Sequence, residues 1–442
     1  MVYRDGSVES DPKNLPSGRL SRLSNLARVG LRSGATLLLS RDAESAAQHA
    51  AEVLGRLRGL AAKVGQMASY IDGFLPDAQR ASYEVALSAL RAAAPRSAPD
   101  AIVNTVEEEL GAPLDRLFAE WQREPCASAS IGQVHRARLF DGREVAVKVQ
   151  HPGIDAAIDA DLGNAAMLES LVGMFGPKAL DTRRVFLEIA QRVREELDYT
   201  LEAQRQSQFA RVHACDAAIR IPAVIGERSA RRVLTSEFVE GESLDWAAQQ
   251  APELRRAYAE TLWRFVFRGN LVGGLFNADP HPGNYLFRSD GAIAFLDFGC
   301  VQPIGIERLR AARKLHVAAR RGDEAGFRAQ SIAILGTRGG SYERAALAHA
   351  RMSMEPLFTS PFHMTRAFVS QMVQNVVALK EQLYAKDKSF VAMPPGLLFM
   401  NRLQFGFYSV LARLDIPACY REAEEQLCRE ADLPGLTADS PD

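Results

Sequence analysis

The chain has 442 residues, room for two or three domains of ordinary size. Apolar residues make up 47 % and charged residues 24 %, the balance of a globular protein, and the formal net charge of −1 gives no sign of a nucleic-acid partner. The five cysteines (Cys126, Cys215, Cys300, Cys419, Cys428) stand far apart with no CxxC pair, which argues against a disulfide framework or a zinc site and for a reducing compartment.

Residues 1–17 are polar, carry Gly6, Pro12 and Pro16, and read as a disordered tail. Asp5, Glu9 and Asp11 come too early for a secretory leader. Residues 18–41 hold five arginines (Arg19, Arg22, Arg28, Arg32, Arg41) and no acid, interleaved with leucines. Such a basic amphipathic stretch can lie on an anionic membrane surface, or can pack on its own domain with the arginines in water. No run approaches the ~18 apolar residues that a membrane span needs. The expectation is a cytoplasmic protein, with peripheral membrane contact as an option and no transmembrane segment.

Residues 42–95 are rich in Ala, Leu and Glu and read as helical, and a further helix from about 100 to 120 opens at Pro99-Asp100. From about 122 the pattern alternates. Val134, Leu139, Val145, Val147 and Val149 interleave with polar residues around Asp141-Gly142, a β-hairpin signature. Helical pattern returns over 153–212, strand-like runs follow at 219–225 and 232–239, and the rest is helical apart from short β segments at 285–287 and 293–296. The expected division is a tail (1–17), a helical extension (18–121), a small sheet with inserted helices (122–242) and a helical half (243–442). This is an α+β chain, predominantly helical.

The strongest chemical signal is Asp279-Pro280-His281-Pro282-Gly283-Asn284 followed by Asp297-Phe298-Gly299. Phosphoryl transfer needs an acid that orients or deprotonates the acceptor, with a carboxylate and an amide oxygen to hold Mg²⁺ against the phosphates. Kinase catalytic loops space these as D-x-x-x-x-N, and a D-F-G supplies the carboxylate. Tyr285-Leu286-Phe287 and Ile293-Ala294-Phe295 flank Asp290-Gly291, so a hairpin would return Asp297 beside Asn284. Asp279 is thus the candidate catalytic acid or base, and Asn284 and Asp297 are the candidate metal ligands.

Upstream, Val145-Ala146-Val147-Lys148 matches the V-A-I-K strand whose lysine meets the nucleotide phosphates. The preceding loop, Ala127-Ser128-Ala129-Ser130-Ile131-Gly132-Gln133, is built of small residues that let backbone N–H groups approach phosphate. Alanine and serine are stiffer there than glycine. Glu195, Asp198 and Glu202 would share one face of a continuous helix, with Glu196 off it. One of these acids is expected to pair with Lys148. The bland alternative is a solvated face on which Arg192, Arg194 and Arg205 pair locally. Glu237 and Val239, closing the run 232–239, complete the expected nucleotide contacts.

These residues resemble the UbiB-type, aarF-domain-containing atypical kinase-like family, which includes the ADCK proteins tied to coenzyme Q production. The resemblance rests on Lys63-Val64-Gly65-Gln66 (K-x-G-Q), the alanine-rich loop, Glu196-Leu197-Asp198 (E-x-D), Asp279 to Asn284 and Asp297 to Gly299. Taken alone, residues 63–66 would pass as a helix interior holding one glycine. The resemblance implies a two-lobed protein-kinase-like fold with an N-terminal helical extension, which binds ATP or ADP with Mg²⁺. It implies that the K-x-G-Q helix folds over the nucleotide site, with Lys63 and Gln66 in it and Glu196 or Asp198 near Lys63. It also implies that the alanine-rich loop alters nucleotide selectivity and that Glu202 is the partner of Lys148. Two departures stand out from the kinase pattern: Asn277 occupies a common histidine position, and no A-P-E element follows Gly299.

The expectation is an ATPase or unorthodox kinase supporting isoprenoid-quinone or lipid metabolism, with lipid or quinone precursors as candidate partners and a homodimer as one option for assembly. The alternatives are a nucleotide-regulated scaffold and a small-molecule phosphotransferase of the aminoglycoside or choline type, whose loops also read D-x-H-P-G-N.

Overall fold

The computed structural model describes residues 97–128, 131–162, 190–384 and 397–430. The expectations placed on residues 1–95, on Lys63 and Gln66, and on loop residues Ala129 and Ser130 lie outside these residues.

The first half is built on an antiparallel sheet. Its strands are β1 (Glu120–Trp121), β2 (Ala127–Ser128), β3 (Gly132–Arg138), β4 (Glu144–Gln150) and β6 (Val233–Glu237), in the order β1-β3-β4-β6 with β2 on the edge of β3. The β3–β4 turn follows from its sequence: Gly142 takes a positive φ of 87° and the Asp141 carboxylate accepts from the Arg143 N–H. Strand alternation then divides β4. Val145, Val147 and Val149 are fully buried, packed with Ile102 and Val106 of helix α1 (Pro99–Leu110) and with Val233. Lys148, between two of those valines, faces the other way, opposite Leu234 in the register.

Three sequence expectations are refined. The helix proposed over about 100–120 ends at Gly111, which takes a left-handed conformation before Pro113, and a short helix α2 (Leu114–Leu117) follows. The run 219–225 is strand only over β5 (Ile219–Arg220), because Pro222 cannot donate to a ladder. The continuous helix through Glu195 and Glu202 is broken. Residues 190–196 are helical, the chain turns at Leu197, and the Asp198 carboxylate caps a new helix by accepting from the Thr200 N–H.

The second half is helical, wrapped on α6 (Pro252–Leu271), whose Tyr258, Leu262, Trp263 and Phe265 are buried. Two small sheets interrupt it: β7 (Leu275–Asn277) pairs with β10 (Val301–Pro303), and β8 (Tyr285–Phe287) pairs with β9 (Ile293–Phe295), which β5 joins in parallel. No helix among the described residues is long and apolar enough to cross a membrane.

A buried ionic cluster ties the C-terminal helix, α13 (Tyr420–Glu430), to α7 (Ile306–Arg321). Glu424 is fully buried and accepts from Arg320, lies 3.0 Å from His316 Nδ1 and accepts from the Trp263 indole at 3.3 Å. Burial opposes its charge, but His316 and Arg320 outweigh it and hold the carboxyl below its ordinary range. A depressed carboxyl pKa adds stability that is present above the unfolded value and is lost as pH falls through the folded one. Glu424→Gln is therefore expected to cost about 3–5 kcal/mol at neutral pH, since it leaves Arg320 buried without its counter-charge. Melting curves from pH 7 to pH 3 should show the gap between wild type and variant closing on the acid side.

Candidate functional site

The site grows from the unlike faces of two elements. Lys148 leaves the sheet on the face away from the valines, and α4 (Tyr199–His213) brings Glu202 to meet it. Lys148 Nζ donates to Glu202 Oε1 at 2.8 Å and Oε2 at 3.0 Å, and to Asp297 Oδ2 at 3.4 Å. Among the acids near this helix, Glu202 is thus the partner of Lys148. Glu195 belongs to Arg192 and Arg205, and Asp198 is the helix cap. Glu196 turns to the D-F-G segment, where its carboxylate lies 3.8 Å from the Cys300 sulfur.

Lys148 also lies 5.0 Å above the ring of Tyr199, a buried residue whose phenol burial pushes upward in pKa. Gly132, at the exit of the small-residue loop, is required there. A Cβ would meet the Val149 carbonyl at 2.3 Å and the Tyr199 hydroxyl at 2.9 Å. Ile131 and Gln133 are buried, and the Gln133 amide reaches His135 at 2.9 Å, so neither side chain of this stretch is turned to solvent. Glu237 pairs with Val145 in the sheet register and accepts from the Ala223 N–H, while Phe238 donates to the Glu144 carbonyl as the chain leaves the sheet towards Val239.

The catalytic-loop motif and the D-F-G segment are held together as the hairpin signature implied. β8 and β9 pair antiparallel, with Tyr285 opposite Phe295, and Leu296 N donates to the Asn284 carbonyl at 3.0 Å. Asn284 therefore stands opposite Leu296, the residue before Asp297. The Asn284 NH₂ donates to Asp279 Oδ2 at 3.2 Å and to the Asp279 carbonyl at 3.3 Å, which ties the two ends of the loop.

Asn277 was a departure in the sequence, and its role is structural glue. Its NH₂ donates to the Asp297 carbonyl at 2.7 Å while its side-chain oxygen accepts from the Asp279 N–H at 3.1 Å. One amide thus spans the two acids, a task that a position two residues before Asp279 hints at only through the Asx-turn preference of asparagine. Gly406 was missed altogether. It lets a late helix, α12 (Leu397–Leu414), lie on the loop, where a Cβ would stand 2.4 Å from the Pro280 ring. No local sequence signal marks a contact that long in range.

Charge explains what this arrangement can hold. Burial opposes the charge on Lys148, but Asp297 and Glu202 outweigh it and keep the ammonium well above its usual range. Burial and Asp297 push the Glu202 carboxyl the other way, upward, against the pull of Lys148. Lys148 stays charged, bonded to both carboxylates. Among the described residues no group of three His, Cys, Asp or Glu side chains is set to hold a metal by itself. Asp297 and the oxygen of the Asn284 amide would instead share a hard divalent cation with phosphate oxygens, as Mg²⁺ prefers, so the donor set fits that ion.

A strand lysine clamped by a helix glutamate, with a D-x-x-x-x-N loop and a D-F-G carboxylate brought against it, defines a two-lobed, protein-kinase-like α+β protein. The ABC1 atypical kinase-like domain matches residues 89–331, more than half of the chain, and the chain belongs to that family. It is similar to the rat protein "Atypical kinase COQ8B, mitochondrial", 32 % identical over 323 residues that cover 68 % of this chain and 60 % of that protein. It is also similar to the Arabidopsis thaliana "Protein ACTIVITY OF BC1 COMPLEX KINASE 7, chloroplastic", 34 % identical over 248 residues, 55 % of this chain and 35 % of the relative. Among solved structures, a Mycobacterium tuberculosis protein, Rv3197, determined in complex with erythromycin, matches with a TM-score of 0.61. The identity is 26 %, and the match covers 96 % of this chain and 100 % of the other. The chain spans less than two thirds of the length of the two curated relatives.

Proposed function

We propose that this protein binds an adenine nucleotide with Mg²⁺ and cleaves or transfers its terminal phosphoryl group. The observation that carries the reading is Lys148 held between Glu202 and Asp297, with Asn284 bonded across the hairpin to Leu296, the residue before Asp297. Lys148 meets nucleotide phosphates and Glu202 keeps it aimed. The backbone of residues 127–133, with Gly132 at its end, approaches the same phosphates. Asp279, steadied by Asn277 and Asn284, accepts the proton of the attacking hydroxyl or water. Asp297 and Asn284 hold the metal ion, which neutralises charge on the phosphates when bound. Catalysis of this kind is mostly positioning, and the hydrogen-bonded tie between the two loops supplies it.

The acceptor we assign to isoprenoid-quinone or lipid metabolism, in support of which stands the likeness to the mitochondrial relative at 32 % identity. The five arginines of residues 18–41 would bring the chain to an anionic membrane, each worth about 1 kcal/mol near such a surface. Lys63 and Gln66 we place over the nucleotide, on the strength of the K-x-G-Q motif.

Purified protein incubated with γ-labelled ATP tests the reading. Mg²⁺-dependent loss of the label to water, or to a phenolic quinone-precursor mimic on anionic vesicles, is the expected outcome. Retained nucleotide binding without any turnover would favour a nucleotide-operated scaffold.

A further inference from the structure

Helix α4 carries an arginine that the reading above leaves unused. Arg205 lies one helical turn after Glu202, and its side chain is almost buried, with 10 % exposure. Its guanidinium is forked. Nη1 donates to the Gly299 carbonyl at 2.9 Å, and Nη2 donates to Glu195 Oε2 at 2.5 Å. Arg192 holds the same Glu195 oxygen from its other side at 2.7 Å, so Glu195 fixes the fork from behind. Gly299 is bound on its other side as well, since its N–H, which belongs to the preceding Phe298–Gly299 peptide, donates to Asp297 Oδ1 at 2.9 Å. The Asp297 carboxylate therefore has one oxygen committed to this glycine, and its other oxygen, Oδ2, faces Lys148.

We infer that Arg205, oriented by Glu195, is a positioning residue for the metal carboxylate. By gripping the Gly299 carbonyl it limits rotation of the backbone at Gly299, and so steadies the preceding N–H that holds Asp297 Oδ1 and leaves Oδ2 as the oxygen presented to the cation. This inference rests on the nucleotide-and-metal reading of the site.

Two further observations favour this role over simple packing. The same helix reaches the D-F-G segment through Phe209, whose ring lies 5.2 Å from that of the fully buried Phe298. Apolar packing already anchors the segment at Phe298, so the bond from Arg205 to the Gly299 carbonyl is left to fix the backbone orientation there. Acidic groups also crowd Gly299: Glu202 Oε2 and Glu196 Cγ stand 3.7 and 3.8 Å from where its Cβ would be. A positive group bound to the carbonyl of that glycine restrains backbone rotation there. Groups that orient a metal ligand typically change metal affinity by about 10–100-fold when removed. Arg205 and Glu202 share one helix, so the grip on Lys148 and the grip on Asp297 move together.

The test is nucleotide-induced thermal stabilisation of the full chain, titrated with Mg²⁺ at fixed non-hydrolysable ATP analogue. Arg205→Gln is expected to raise the half-maximal Mg²⁺ concentration about tenfold, while stabilisation by the analogue in EDTA stays at the wild-type value. Glu195→Gln keeps Arg205 in place and should move the midpoint in the same direction by less; it decides the matter should Arg205→Gln fail to fold. A packing role alone would lower the melting temperature with and without Mg²⁺ alike and leave the midpoint unmoved. Wild-type midpoints in these variants, alongside an Asp297→Asn protein that has lost its Mg²⁺ response, would overturn the role of Arg205 alone. A wild-type Mg²⁺ response in Asp297→Asn would instead overturn the underlying reading of the site.

Discussion

Asp279→Asn should lose turnover by about 10²–10⁴-fold while binding nucleotide as wild type does, because a positioned base contributes on that scale. The substitution is nearly isosteric. It keeps an oxygen for the Asn284 amide and leaves the backbone bond from Asp279 N to Asn277 untouched. What it removes is the capacity to accept a proton. Single-turnover measurements with γ-labelled ATP separate the step from binding. An Asp279→Asn protein that turns over at the wild-type rate would remove Asp279 from the chemistry and leave the loop a structural turn.

Lys148→Met is expected to act on stability and on binding at once. Glu202 has 4 % side-chain exposure and Asp297 32 %, and Lys148 pairs with both. Removing it leaves two carboxylates side by side in a largely buried site, a change of about 3–5 kcal/mol for a broken buried pair. The raised pKa of Lys148 fixes the pH behaviour. The stabilisation is fully present below the unfolded lysine value, about 10.4, and disappears only as pH rises through the higher folded value. Denaturant melts of wild type and Lys148→Met should therefore stay separated across neutral pH and converge only in strong alkali. Glu202→Gln in the Lys148→Met background should recover part of the loss, because one of the stranded charges is gone. No recovery in the double variant would mean that Glu202 and Lys148 do not act as a pair.

Much of this site was legible in the chain because its parts are local. The D-x-x-x-x-N spacing, the hairpin around Asp290-Gly291 and the alternation that turns Lys148 away from the valines are each set within a short stretch of chain. The structure forms that hairpin and sets Asn284 opposite Leu296, one residue before Asp297. The pairing of Lys148 was not legible from residue pattern alone. A continuous helix made Glu195, Asp198 and Glu202 equivalent. The turn at Leu197 and the cap at Asp198 gave each acid a different neighbour. Capping preference at Asp198 was the available signal, and the run of helix formers on both sides masked it. Asn277, Arg205 and Gly406 act across the fold, on the Asp297 carbonyl, the Gly299 carbonyl and the Pro280 ring. Contacts of that range leave no period in a sequence.

The central claim is that Asp297 and Asn284 hold a divalent cation over the phosphates that Lys148 meets. Titration calorimetry of ATP into wild-type and Asp297→Asn protein, with Mg²⁺ and then with EDTA, tests it most directly. Wild type should bind in a Mg²⁺-dependent manner. Asp297→Asn should bind at least about tenfold more weakly than wild type with Mg²⁺, and the gap should shrink in EDTA, where no cation remains for the carboxylate to hold. Equal Mg²⁺-dependent affinity in the two proteins would contradict the account.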